Sequence, residues 1–151
     1  MAVRIKMLTF VVGAFLVLTA GILAVSAKSA ESHPIGGSSS VVAEAQSWLG
    51  VPYVYGGASA AGVDCSGFTM AVYSAFGVTL PHNAAAQAGY GTPVSSPSAG
   101  DLVLSDYTGA GIGHAGIATG DGNMINAPYP GTTVRYDPII PENVVAYRSI
   151  V

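Results

Sequence analysis

A run of 19 uncharged residues, Met7–Val25, leaves only the residues that follow it to form a folded domain. The run is longer than most signal-peptide cores and close to the roughly 20 residues that span a bilayer. Arg4 and Lys6 precede it, and small residues that suit a signal peptidase follow it, ending at Ala27. We therefore expect residues 1–27 to be an export signal, either cleaved after Ala27 or kept as a membrane anchor.

The rest of the chain has room for a single folded domain. Residues 28–39 are rich in serine, glycine and proline, so we predict a flexible linker there and the folded domain over residues 40–151. From Lys28 onward, three basic residues stand against eight acidic ones, a net charge of −5. This charge argues against nucleic acid as a partner. We expect a monomer that meets a membrane only through residues 1–27, if these are kept.

Helical spacing of apolar residues is found in the first half of this domain. Ser40 can cap a helix over residues 41–49, and a second helix is predicted over residues 66–76. A glycine follows each of these two segments, as is common after helices. Asn83 can cap a short third helix that runs through Ala88.

Short runs of strand-forming residues, separated by glycine, proline and aspartate, fill the second half. The predicted strands are residues 102–105, 114–119, 123–127, 132–136 and 144–148. Helices followed by an antiparallel meander of strands predict an α+β domain.

Cys65 is the only cysteine of the sequence, so it cannot form an internal disulfide. A cysteine attacks as the thiolate, which a helix N-terminus favours, and Cys65 directly precedes the second predicted helix. Taken alone, such a cysteine could equally be a small buried apolar residue. It becomes a candidate nucleophile if the fold places a histidine beside it.

Three histidines are available to act as the base. His33 lies in the predicted linker and His82 lies beside a proline, so neither is an obvious choice. His114 opens an apolar strand after the glycine-rich loop Gly109–Gly113, and a strand can hold the ring in a fixed orientation. We predict that His114 is the base. The alternative for a lone strand histidine is a residue of the core or of the sheet edge.

Asn126 can orient the ring of His114 if Gly120–Gly122 is a three-residue hairpin turn. Paired positions then sum to 242, which places Asn126 on the same face as His114 and diagonally across from it. A two-residue turn would put the two side chains on opposite faces. The alternative role of Asn126 is to satisfy a backbone group at the end of a strand.

Six motifs surround these candidates in sequence order. They are Gly50–Gly57, Asp64–Phe68, Leu80-Pro81 with Gln87, Gly100–Val103, Gly113–Ile117 and Met124–Pro128. In these motifs, over nearly all of residues 41–148, the chain resembles the NlpC/P60 cell-wall peptidases. The resemblance implies a compact papain-like fold with helices packed on an antiparallel sheet. It also implies hydrolysis of peptidoglycan stem peptides, most often between D-glutamate and a diamino acid.

The resemblance further implies a substrate site around Cys65. Asp64 and Ser66 correspond to residues that hold the free amino end of the stem peptide, and Tyr55 to one that lines the site. We hypothesise that these three select peptides with a free N-terminal amine, while Asp64 can also cap the helix. His82 stands where the family commonly has arginine, and we assign it to substrate binding as well.

The expected mechanism is attack by the Cys65 thiolate, protonation of the leaving amine by His114, and release of the acyl-enzyme by water. No metal-ligand cluster or phosphate-binding glycine motif is present in the sequence, so no cofactor is expected. Two alternatives stay open: a CHAP-type amidase that cuts other wall bonds, and a silent module that binds wall peptide or a partner protein. We expect the protein outside the cell, secreted or wall-associated, or anchored in the membrane.

Overall fold

The computed structural model describes residues 38–151. The predicted export signal over residues 1–27, most of the predicted linker and His33 lie outside the described residues. Within residues 38–151, no helix is long and apolar enough to cross a membrane.

Three helices form: α1 (Ser38–Ser47), α2 (Cys65–Ser74) and α3 (Ala84–Gln87). The first helix begins two residues before the predicted cap Ser40, inside the stretch predicted as linker. The backbone of Ser38 packs against Gly100, where an added Cβ would lie 2.6 Å from the Ser38 carbonyl oxygen. This tertiary contact extends the helix beyond the point that local sequence indicates. The other two helices begin and end within two residues of their predicted limits.

The strands form a short hairpin and a six-stranded antiparallel sheet. The hairpin pairs β1 (Ala58–Ser59) with β2 (Gly62–Val63) in a segment predicted as loop. The strands of the sheet are β3 (Thr92–Val94), β4 (Leu102–Ser105), β5 (His114–Ala118), β6 (Asn123–Asn126), β7 (Arg135–Pro138) and β8 (Val144–Ser149). Their order is β3-β8-β4-β5-β6-β7.

The prediction of a simple meander is wrong at both ends of the strand series. Strands β4 to β7 follow one another as a meander, but β8 returns to lie between β4 and β3. Strand β3 was not predicted because Pro93, at its centre, cannot donate to a ladder. It is tolerated because β3 is an edge strand that pairs with β8 alone.

Residues 132–134 were predicted as the beginning of a strand, but they lie outside β7 and bond to an earlier part of the chain. The N–H of Val134 donates to the carbonyl of Val51 at 2.8 Å, and the N–H of Tyr53 donates to the carbonyl of Thr132 at 2.9 Å. These bonds join the segment to the chain before the β1–β2 hairpin. Strand β7 therefore starts at Arg135, three residues later than predicted.

The main core lies between the helices and one face of the sheet. Phe68, Val72 and Tyr73 of α2 are fully buried against that face, which includes Leu104 and Ile117. Each such side chain contributes about 1.5–3 kcal/mol by leaving water. A smaller cluster, on the opposite face of the sheet, consists of Val103, Ala118 and Met124. The predicted α+β fold, with helices packed on an antiparallel sheet, is confirmed.

Candidate active site

The start of α2 is built by Asp64, whose extended backbone (φ −93°, ψ −177°) caps the helix. Its Oδ1 accepts from the N–H of Gly67 at 2.7 Å, and its carbonyl accepts from the N–H of Phe68 at 2.8 Å. Apart from the sulfur of Cys65, the N–H groups of Cys65 and Ser66 have no hydrogen-bond acceptor among residues 38–151. Two backbone donors beside the thiol are therefore available to an oxyanion.

The Cys65 thiol lies against the beginning of β5. It donates a weak hydrogen bond to the carbonyl oxygen of Gly113, at 3.8 Å. Burial raises the pKa of the Cys65 thiol, and the negative charge of Asp64 raises it further. The hydrogen bond from the N–H of Ala115 lowers this pKa, because it favours the thiolate. Burial and the charge of Asp64 therefore oppose the thiolate that the helix N-terminus favours.

His114 and Asn126 meet as the hairpin register predicted. Ile117 pairs with Ile125 and Ala118 with Met124, so paired positions sum to 242. Nε2 of His114 lies 2.9 Å from Oδ1 of Asn126, and both side chains are more than nine-tenths buried. The predicted proximity of the two residues is confirmed.

Asp137 is a member of this network that the sequence analysis missed. Nδ2 of Asn126 donates to Oδ2 of Asp137 at 3.0 Å, and Nε of Arg135 donates to the same carboxylate at 2.9 and 3.1 Å. A carboxylate only accepts here, so it fixes the amide with its oxygen toward His114. Nε2 of His114 therefore carries the proton, and Nδ1 is the basic nitrogen.

Burial lowers the pKa of His114, although the hydrogen bond to Asn126 and the charge of Asp137 both oppose this. The neutral form of the ring is therefore favoured, and the ring packs against that of Tyr107 in an edge-to-face arrangement with centroids 5.6 Å apart. No hydrogen bond joins the thiol of Cys65 to this ring in the described structure. Such bonds between nucleophile and base are often long in enzymes without substrate and shorten when substrate binds.

Asp64 also joins the predicted substrate residues. Its Oδ1 accepts from Nε2 of His82 at 2.7 Å and from the Ser66 hydroxyl at 3.4 Å, and its Oδ2 accepts from the N–H of Gly56 at 2.9 Å. Burial alone would raise the pKa of Asp64, but the bonds from His82 and the two N–H groups lower it below its usual range. The carboxylate is therefore ionised at neutral pH.

A cavity of about 370 Å³ brings these residues together. Its walls include all five predicted residues on the side of the nucleophile: Tyr55, Asp64, Cys65, Ser66 and His82. Tyr55 is the most open of them, with 88% of its surface exposed. His114 and Asn126 do not line this cavity. They line a second one, of about 460 Å³.

Gln87 fixes the position of His82 relative to α2. Its fully buried amide nitrogen donates to the carbonyls of Ser66 at 3.0 Å and Pro81 at 2.9 Å, and its oxygen accepts from the Thr69 hydroxyl at 2.7 Å. This amide ties the first turn of α2 to the loop that carries His82. The polar groups of the side chain are satisfied, as burial requires.

Sequence similarity to known proteins covers most of this domain. A Listeria seeligeri protein described as a probable endopeptidase p60 is 48% identical over 101 residues, which make up 66% of this chain and 19% of that protein. The gamma-D-glutamyl-L-lysine dipeptidyl-peptidase of Bacillus subtilis is 37% identical over 108 residues, 69% of this chain and 36% of that enzyme. The chain thus matches well under half the length of these relatives.

The fold is also similar to that of solved structures. The crystal structure of the NlpC/p60 domain of the peptidoglycan hydrolase SagA is 36% identical, with a TM-score of 0.68, and the match covers 76% of this chain and 100% of that one. Residues 50–147 match the NlpC/P60 family, and this range includes every candidate site residue. The chain belongs to the NlpC/P60 family.

Proposed function

We propose that this chain is a cysteine endopeptidase that hydrolyses peptidoglycan stem peptides between D-glutamate and a diamino acid. The Bacillus subtilis relative is named for a gamma-D-glutamyl-L-lysine substrate, and SagA is named a peptidoglycan hydrolase. The observation that carries the proposal is the bond of 2.9 Å from His114 to Asn126, which gives a base of defined tautomer. This base lies at the beginning of β5, next to Gly113, which the thiol of Cys65 contacts.

The reaction begins from a neutral pair, since burial raises the pKa of Cys65 and lowers that of His114. Nδ1 of His114 takes the thiol proton as the sulfur attacks the amide carbonyl. A carbon–sulfur bond forms and the carbonyl electron pair moves to oxygen, where the N–H groups of Cys65 and Ser66 can stabilise it. In this proposal the thiolate forms as the proton moves to His114.

Collapse of the tetrahedral intermediate breaks the carbon–nitrogen bond, and His114 returns its proton to the leaving amine. Water then attacks the thioester with Nδ1 as base. The acid product leaves and the thiol is restored. Asn126 and Asp137 keep the ring in one tautomer through both steps.

Asp64 supplies the selectivity for the acyl half of the substrate. Its ionised carboxylate, beside Ser66 and Tyr55 in the cavity of Cys65, is suited to the ammonium of a stem peptide whose N-terminal amine is free. Such peptides have already been released from the glycan. Since wall peptides lie outside the cytoplasm, we place the enzyme there too, exported by residues 1–27 as secreted or anchored protein.

Digestion of purified peptidoglycan, before and after release of its stem peptides from the glycan, tests the proposal, with the wild type beside Cys65→Ala and mass spectrometry of the products. We expect the wild type to cut after D-glutamate, and Cys65→Ala to be inactive with an unchanged thermal melt. Acetylation of the substrate's N-terminal amine should lower kcat/KM about tenfold to a hundredfold, the range for losing a hydrogen bond to a charged group. Products cut at the glycan–peptide bond would instead indicate a wall amidase, and full activity of Cys65→Ala would indicate a binding module.

A further inference from the structure

The cavity that His114 lines is separate from that of Cys65. The two cavities share no wall residue, and their boundary falls between the consecutive residues Gly113 and His114. The thiol contacts Gly113, whereas the ring of the next residue faces the other space. An amide bond that reacts with both groups must therefore lie at this boundary, with one half of the substrate on each side.

The chemistry of the proposed hydrolysis, on which this inference rests, determines which half of the substrate occupies each cavity. The acyl half remains bonded to the sulfur of Cys65, so it occupies the nucleophile's cavity. The leaving amine receives its proton from His114, so the rest of the leaving group extends into the cavity of about 460 Å³.

Arg135 supplies the positive charge in that second cavity. Lysine is absent from residues 38–151, and the other arginine there, Arg148, has its Nε buried without a partner. Arg135 is 40% exposed, and its Nε is bonded to Asp137. Its terminal amino groups make one hydrogen bond among the described residues, from Nη2 to the Tyr129 hydroxyl at 3.4 Å.

The guanidinium of Arg135 is held in place for a ligand. Its carbon lies 5.3 Å from the centre of the Tyr129 ring, and its Nε is fixed by both oxygens of Asp137. The two terminal amino groups then form a planar fork of the kind that binds a carboxylate. Asp137 offsets the charge, but it does not use this fork.

The remaining wall is suited to an aliphatic chain. It consists of two aromatic rings and four apolar side chains, from Tyr107, Tyr129, Met124, Pro128, Pro138 and Ile140. A ligand that matches both parts of the cavity has a flexible hydrocarbon chain that ends in a carboxylate.

We propose that this cavity binds the leaving diamino acid, and that Arg135 holds a carboxylate at the end of its side chain. The ligand class is a diamino dicarboxylic acid such as diaminopimelate. Lysine has the aliphatic chain and the amine but lacks the terminal carboxylate, so Arg135 is a specificity residue that separates the two wall types. Asn126 and Asp137 serve the base from the same cavity, which puts recognition and proton transfer side by side.

The test compares two peptides, L-alanyl-γ-D-glutamyl-diaminopimelyl-D-alanine and the same peptide with the side-chain carboxylate as carboxamide. For the wild type we expect kcat/KM to favour the carboxylate by about tenfold to a hundredfold. In Arg135→Gln the preference should fall to about one, and Arg135→Lys should restore part of it. Because Arg135 also holds Asp137, rates on both peptides can fall together, and only their ratio reports on the carboxylate. Asp64→Asn is the matched control in the other cavity, where the ratio should be unchanged.

A wild-type ratio near one, or a ratio that survives Arg135→Gln, would overturn the proposal while leaving the hydrolase assignment intact. Binding without turnover separates the two ideas further. Cys65→Ala should bind diaminopimelyl-D-alanine at least tenfold more tightly than its carboxamide by calorimetry, and Cys65→Ala with Arg135→Gln should not. Equal binding of the two peptides to Cys65→Ala would also overturn the proposal, whether or not the wild type cleaves peptidoglycan.

Discussion

The carboxylate of Asp137 reaches the ring of His114 through the amide of Asn126, and the direction of that amide determines which ring nitrogen is basic. Without Asp137 the amide can rotate and present its NH2 group to Nε2, which would favour the wrong tautomer. We expect Asp137→Ala to lower kcat about tenfold or more, the scale expected for partners that orient a catalytic histidine.

The double variant distinguishes this role from a general loss of structure. If Asp137 acts through Asn126, its removal should cost nothing further once Asn126→Ala has been made. Values of kcat/KM for the wild type, both single variants and the double variant give the coupling. Losses that simply add would mean that Asp137 supports the fold rather than the base.

The proton of Cys65 provides a second prediction at this scale. Because burial and the charge of Asp64 raise the pKa of the thiol, alkylation by iodoacetamide should keep accelerating above about pH 8.5, where an ordinary thiol levels off. Asp64→Asn removes the like charge and should move this rise to lower pH. A rate that is already flat between pH 5 and 8 would show a preformed ion pair and contradict the neutral resting state.

The pKa of His114 has the opposite consequence for turnover. Burial lowers this pKa, so Nδ1 stays unprotonated below the ordinary value of about 6.5. We expect the acid limb of kcat/KM to lie below that pH, measured on a peptide substrate. Asn126→Ala removes a bond that raises the pKa of His114, so the same limb should shift to still lower pH. A limb at or above pH 6.5 in the wild type would contradict the burial argument.

At the level of elements, the junction between α2 and the β1–β2 region depends on the absence of a side chain at Gly67. An added Cβ would lie 2.0 Å from the Gly57 carbonyl oxygen and 2.9 Å from both the Asp64 carboxylate and the His82 ring. We expect Gly67→Ala to destabilise the fold by about 1–3 kcal/mol and to lower activity, because backbone has to move. Urea unfolding and kcat/KM measure the two effects.

Gly89→Ala is the control for this change. The nearest atom to an added Cβ at Gly89 would be the Ala86 carbonyl oxygen at 3.5 Å, an ordinary van der Waals distance. The expected effect on stability is within about 0.5 kcal/mol. If the two variants were equally stable and active, the close packing of Gly57 on α2 would have no functional weight.

The elements also show what sequence could and could not predict. The position of Asn126 opposite the base follows from the length of one turn, because a hairpin register is fixed by its loop. Asp137 could not be found this way. Residues 132–134 are strand-like, but no local signal says that they pair with residues 50–53, and this pairing places the start of β7 at Arg135.

The charge state of Cys65 shows the same limit. Its place at a helix N-terminus is visible in the sequence, and this local feature favours a thiolate. The burial that opposes it depends on tertiary packing, and the thiol contacts Gly113, which is 48 residues away in the chain. Local geometry was therefore predictable, whereas electrostatics that depend on tertiary packing were not.

For the molecule as a whole, export is the prediction that bears on where the enzyme works. We expect cleavage after Ala27, so protein recovered from outside the cell should begin at Lys28. N-terminal sequencing of that material measures this directly. A chain that begins at Met1 and remains with the membrane would indicate an anchored enzyme instead.

The place of β8 inside the sheet has a consequence for synthesis and transport. Because Val144–Ser149 lies between β3 and β4, the sheet cannot be completed until those residues have left the ribosome. Contacts so distant in sequence also form slowly. On the proposed export by residues 1–27, the emerging polypeptide would reach a translocation channel before the sheet is complete, and the thiol of Cys65 would be enclosed only after transit.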